Sequence, residues 1–151
     1  MIVGHLAAGY LAARAFAALG ATAVFSGVIV GSVIPDVDIL WFFLVDGQQT
    51  HHHDYLTHRP LVWAVVLLIG VTIRRSVVVG LGLGALLHLA LDSIAGKVAW
   101  AWPVLDEATP LVIVPATQAH WVLSFLLHWT FAVEIALCIA ALLLFASARR
   151  T

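Results

Sequence analysis

The stretch Trp121 to Ala146 reads WVLSFLLHWTFAVEIALCIAALLLFA, with one acidic residue, Glu134, and no basic one. A helix needs roughly 20 apolar residues to cross a bilayer, and this run exceeds that. Four apolar segments precede it: about Ile2 to Leu19, Ala21 to Ile34, Leu61 to Ile73 and Val77 to Ile94. Gly20 permits the first turn and Pro35 closes the second segment. Arg74 and Arg75 break the third, and Gly96 suits the end of the fourth. The first and fourth also reach spanning length. The second and third, at about 13–14 residues, fall below the usual lower limit of about 17. They either extend into flanking loops or cross part-way beside other helices. Strands are excluded, because the runs are too long and lack period-two alternation. The expected fold is all-α: an integral membrane helical bundle of about five transmembrane helices, forming one domain over residues 1–151.

Composition agrees. The chain is 63% hydrophobic and 10% charged, with a mean hydropathy of +1.07. Soluble domains are about 45–50% apolar and about 25% charged. A net charge of −1 argues against a nucleic-acid surface. Cys138, the only cysteine, offers no disulfide and is expected to pack. His5 interrupts the amino end and no basic stretch precedes the first apolar run, so no cleavable leader is expected.

Two signals give an orientation. Arg14, Arg74, Arg75, Arg149 and Arg150 fall on one side if the helices alternate, and that side is cytoplasmic by the positive-inside rule. Trp41, Trp63, Trp100, Trp102 and Trp121 flank the opposite loops, like half of an interfacial aromatic belt, and Trp129 lies deeper. Arg59 and Lys97 are exceptions on the tryptophan side. The expected topology has its amino end outside and its carboxyl end inside a prokaryotic inner membrane.

The ionisable residues are not scattered. Asp36, Asp38, Asp46, Asp54, His51, His52, His53 and His58 lie between Pro35 and Arg59, half of all the histidines and carboxylates. Such groups are costly in hydrocarbon unless something binds them. His88 and Asp92, at i and i+4, project from one helical face about 6 Å apart. They are either a polar helix pair or two ligands to one ion. Asp36 and Asp38, in Pro35-Asp36-Val37-Asp38, would repel without a cation; they are either ligands or a turn motif. His53 and His58 stand about 140° apart on an ideal helix, so both reach one site only through a bend. On the expected topology His5, Asp36 and Asp38, His53 and His58, and His88 and Asp92 share the outer depth.

The remaining polar groups have blander readings. His51 and His52 are expected at the surface. His120 and His128 would stand about 80° apart on the last helix. They and Glu134 are expected as satisfied polar groups of the bundle, and Asp106 and Glu107 as solvated loop charges. Arg59 is either a phosphate-binding fork or a lipid-headgroup anchor. The loop from Gly96 to Ala119, with Pro103, Pro110 and Pro115, admits no long helix. Its piece Leu111 to Val114 would dip into the membrane or cover the site as a lid.

With these residues in hand, the chain resembles the YdjM-like family, described as LexA-binding, inner-membrane-associated, metal-dependent hydrolases. The pattern is an early His (His5), Pro-Asp-x-Asp (Pro35 to Asp38), a His with Thr-His (His53, Thr57-His58) and His-x-x-x-Asp (His88, Asp92). The chain departs from it at Asp54, where Arg is frequent, and at Arg59, where Ser is frequent. The family is distantly similar to zinc-dependent phospholipase C, whose further His-x-x-x-Glu is absent here, since Ala132 follows His128 by four. The resemblance implies hydrolysis of a phosphoester, a phospholipid or lipid phosphate among the candidates. Zinc would be held as one or two ions, with manganese or iron as substitutes. Asp36 or Asp38, His53 or His58, His88 and Asp92 would hold the first ion, and His5 could join Asp92 at a second. Asp38 or Asp54 would take a proton from water, and Arg59 would neutralise phosphate charge. Two other functions use such residues: a metal-ion or proton transporter, and a metal-braced structural or partner-binding protein. A transporter needs polar groups through the whole bilayer depth, and the cytoplasmic half carries only Glu134.

Overall fold

A computed structural model describes residues 3–149. Ile2 and Arg150, used above to mark a segment start and a basic end, lie outside the described residues, as does the side chain of His52. The described chain is helical: α1 (Gly4–Ala18), α2 (Phe25–Gly31), α3 (Asp38–Leu44), α4 (Pro60–Thr72), α5 (Ser76–Ala95), α6 (Trp121–Leu126) and α7 (Trp129–Ala148). Among the described residues there is no strand, only an isolated bridge between Val98 and Thr109.

Among the described residues, three segments are long and apolar enough to cross a membrane: Thr22–Leu44, Ser76–Ala95 and Trp129–Ala148. The expected count of about five is not confirmed. With 15 and 13 residues, α1 and α4 reach only about 22 Å and about 20 Å at 1.5 Å per residue, against about 30 Å of hydrocarbon.

Two boundaries also differ from expectation. The second segment does not stop at Pro35. A 3-10 turn over Ile34–Val37 carries the chain into α3, because proline in a first turn gives up only an N–H that has no helical partner. The last apolar run is not one helix. It breaks at His128, whose Nδ1 accepts from Thr130 N at 3.4 Å and caps α7. His120 caps α6 in the same way, accepting from Val122 N at 3.3 Å. Both histidines are therefore helix caps rather than neighbours on one helical face.

Helices α2 and α5 cross at backbone distance. A Cβ on Gly31 would collide with Leu81 O and sit 2.9 Å from Ala85 N, and one on Gly84 would collide with Val28 O and sit 2.8 Å from Ser32 N. Gly27 and Gly80 face each other's helix in the same way one turn earlier. These are two reciprocal small-x-x-x-small stripes, the usual device for close helix approach in a bilayer. On the other face of α5, Gly82 seats against Leu67 of α4. Beside the crossing, Trp63, Ala85, Leu89 and Val98 form a buried apolar cluster. Trp63 is thus core, not part of an aromatic belt. α7 lies against α1 and is otherwise peripheral, with only 6% of its apolar window buried.

Candidate metal centre

The amino ends of α1 and α4 and the carboxyl ends of α2 and α5 share one end of the bundle. Their polar residues meet there. His5 sits in the first turn of α1, Asp36 in the turn after α2, His53 and His58 in the 3-10 turns before α4, and His88 and Asp92 in the last turns of α5. His5, His53, His58, His88 and Asp92 are buried, whereas the Asp36 side chain is 31% exposed.

Asp92 is the hub. His88 Nε2 lies 3.0 Å from its Oδ2, His58 Nε2 3.5 Å and His53 Nε2 3.7 Å. His5 Nε2 lies 3.1 Å from its Oδ1. Asp36 forms a second focus, 3.6 Å from both His5 and His88 and 3.8 Å from His58. The His5 and His88 rings stack with centroids 3.7 Å apart, and those of His53 and His58 at 4.7 Å.

The opposite ring edges are anchored. His88 Nδ1 donates to the Ser32 carbonyl at 2.9 Å, and His53 Nδ1 to the Lys97 carbonyl at 3.2 Å. A carbonyl can only accept, so each Nδ1 carries the proton and each Nε2 presents its lone pair inward when the ring is neutral. His58 Nδ1 meets Asp38 Oδ2 at 2.6 Å, and Thr57 Oγ1 donates to the same oxygen. Trp63 Nε1 holds the turn from behind by donating to Thr57 O at 2.6 Å. Imidazoles held by an acceptor on one nitrogen and converging through the other are the usual pattern of metal-ligating histidines.

The donor set fits a divalent cation. His88 Nε2 and both ring nitrogens of His5 are buried and face only the Asp92 and Asp36 carboxylates, with no well-formed hydrogen bond; a neutral imidazole offers one lone pair, and an ion between ring and carboxylate would take it up. Three triads bring ligand atoms within 4.8 Å of one another: His5, His88 and Asp92; Asp36, His58 and His88; His53, His58 and Asp92. Without an ion, burial opposes a positive charge on His58, but hydrogen bonds to Asp38 and Asp92 override it and push its pKa up to about 9.

The remaining expected site residues lie elsewhere. Asp38 belongs to the outer layer that orients His58. Asp54 is exposed, and its carbonyl accepts from Arg59 at 3.1 Å. Arg59 is buried, pairs with Asp106 at 2.8 Å and lies over the Trp102 ring. Asp106 is therefore not a merely solvated charge. Asp46 closes its own loop: the Thr50 N–H, 2.7 Å away, holds its carboxyl below the usual range. His51 is exposed, as expected, and its Nδ1 accepts from His53 N at 3.3 Å. In the Gly96–Ala119 loop, the pieces that close on the cluster are Gly96 to Ala99. A Cβ on Gly96 would sit 2.6 Å from His53 Cε1. Leu111 and Ile113 are 78% and 80% exposed, anchored only through Leu111 N and Val112 N to the end of α5.

Fold and site together define an all-helical membrane protein with a buried histidine–aspartate centre at one end of its bundle. Over residues 1–150 the chain matches the family described as YdjM inner membrane protein, and it belongs to that family. No curated protein and no solved structure matches it.

Sequence reasoning missed the parts that hold the histidine rings. The Ser32 and Lys97 carbonyls are backbone groups and carry no side-chain signature. The glycine spacing at 27, 31, 80 and 84 marks where Ser32 meets His88. Nothing in the sequence pairs Arg59 with Asp106.

Proposed function

We propose that the protein is a membrane-bound metal-dependent hydrolase that acts on a phosphoester, with a phospholipid or lipid phosphate as the favoured substrate class. The observation that carries this reading is the convergence of three anchored imidazoles on Asp92, with the buried ring of His5 facing the same carboxylate at 3.1 Å. The mixed nitrogen and oxygen donors suit zinc first, then manganese or iron, and the three triads can serve one ion or two. A bound ion would supply Lewis acidity and a water acidified toward a pKa of about 7. The chain's own part is positional. Ser32, Lys97 and Asp38 fix the ring orientations. Asp36 is the member of the cluster that bulk water reaches, and is placed to take a proton. Arg59 holds Asp106, so an arriving phosphate would compete with that carboxylate for the guanidinium. The asymmetry of basic residues favours an extracytoplasmic site, within reach of lipid headgroups.

The test is phosphate release from phosphatidic acid and from p-nitrophenyl phosphate by purified protein in micelles. Release should stop with a chelator, return with zinc, and fall at least about 100-fold in His88→Ala. Chelator-resistant release, or no release from any phosphoester by the zinc-loaded protein, would reject the proposal.

A further inference from the structure

Glu134 is a fully buried acidic residue on α7, a helix that contributes no member of the cluster; its bonds to Val3 and Gly4 put it at the end of the bundle that carries the cluster, not in the opposite half as expected. It does not merely find a polar neighbour. Its Oε2 accepts from Val3 N at 2.6 Å and from Gly4 N at 2.9 Å, across 131 and 130 residues of chain. These are among the amino-terminal N–H groups that a helix cannot satisfy itself. Val3, the residue at the cap position of α1, offers no capping side chain. A carboxylate there also meets the positive end of the helix dipole. One turn further along α7, Cys138 Sγ reaches Val3 O at 3.9 Å. The same face of α7 thus holds the first residue of this turn from both sides.

The next residue is His5. Its ring stacks on His88 at 3.7 Å, and its nitrogens face Asp92 and Asp36. The ring is placed by its backbone, by that stacking and by the two carboxylates it faces, whereas His53, His58 and His88 are each also anchored from behind through Nδ1.

We propose that Glu134 is a positioning residue for His5: from the periphery of the bundle it fixes the first turn of α1 and, with it, the imidazole that faces Asp92. The consequence for metal affinity rests on the function proposed above; the consequence for the ring does not. Both N–H groups share one oxygen, so Glu134→Gln keeps an acceptor in place, while Glu134→Asp is too short to hold both and Glu134→Leu holds neither.

The experiment reads histidine ring signals by NMR in metal-free, histidine-labelled protein in micelles, assigned with His5→Ala and His88→Ala. Stacking gives His5 and His88 mutual ring-current shifts. Glu134→Gln should keep them, with zinc affinity within about threefold, below the roughly 10–100-fold of a lost outer partner. Glu134→Leu should move the His5 and His88 signals, leave those of His53 and His58, and weaken zinc binding as much as His5→Ala does. The double variant should then be no weaker than His5→Ala alone. Unchanged His5 and His88 signals in folded Glu134→Leu, or full additivity with His5→Ala, would overturn the proposal. If Glu134→Leu does not fold, Glu134→Asp decides: the same two signals must move, and unmoved signals overturn it. Wild-type protein that binds no zinc would reject the metal reading alone, because the ring signals still decide the role of Glu134.

Discussion

His58 joins two layers of the site: Nε2 faces Asp92 and Asp36 while Nδ1 is held by Asp38. Asp38→Asn should therefore weaken zinc by roughly 10–100-fold with the ligands intact, measured by competition with a chelating dye. The raised pKa of His58 gives a pH signature. The charged ring is favoured in the folded, metal-free protein, so its contribution to stability is complete below pH 6.5 and is lost as pH rises through about 9. Thermal unfolding of metal-free protein should show that loss. Zinc must displace the same proton, so zinc affinity should instead rise with pH up to about 9. A flat affinity over that range would contradict the assignment of His58. At this scale the sequence was most legible where chemistry sits in side chains. The i, i+4 spacing of His88 and Asp92 already puts both candidate ligands on one face. The sequence left Asp36 and Asp38 as alternative ligands, and a 3-10 turn points the two carboxylates at different partners.

The crossing of α2 and α5 sets the depth at which those residues meet. Gly31 and Gly84 let the backbones touch, which brings Ser32 O to His88 one turn past Gly84. Gly84→Leu should prevent folding in micelles, because it meets backbone atoms that cannot yield and exceeds the about 1–3 kcal/mol of ordinary overpacking. Leu142→Ala, on the exposed face of α7, should shift stability by no more than about 0.5 kcal/mol. Size-exclusion profiles and thermal unfolding separate the two. Apolar length found α4 and α5 nearly to the residue. It failed at two points where the backbone turns inside or beside an apolar run. Pro35 looked like an end, yet it sits where its missing N–H costs nothing, and His128 interrupts an apolar run because an imidazole can cap a new helix. Both depend on local turn and cap geometry, which hydropathy does not report.

Over the whole molecule, a polar centre occupies one end of the bundle while the lateral faces stay apolar, with Leu68, Ile139, Leu142 and Leu143 all exposed. That distribution suits lipid around the sides and solvent or headgroups at the site, through Asp36. In a Cys138→Ser background, Asp106→Cys should react with a membrane-impermeant maleimide on intact cells, because Asp106 is 71% exposed on the loop beside the site. Labelling only after permeabilisation would place the site on the cytoplasmic face. The claim beneath all of this is that histidines and aspartates from four separate segments share a cation. Its most direct test is the metal content of protein purified from zinc-supplemented cells, by mass spectrometry, for wild type, His88→Ala, Asp92→Ala and a Glu107→Ala control. Wild type and control should carry about one or two zinc ions per chain and both site variants should lose them; a wild type without metal, or site variants that keep the wild-type content, would show that these residues share no cation.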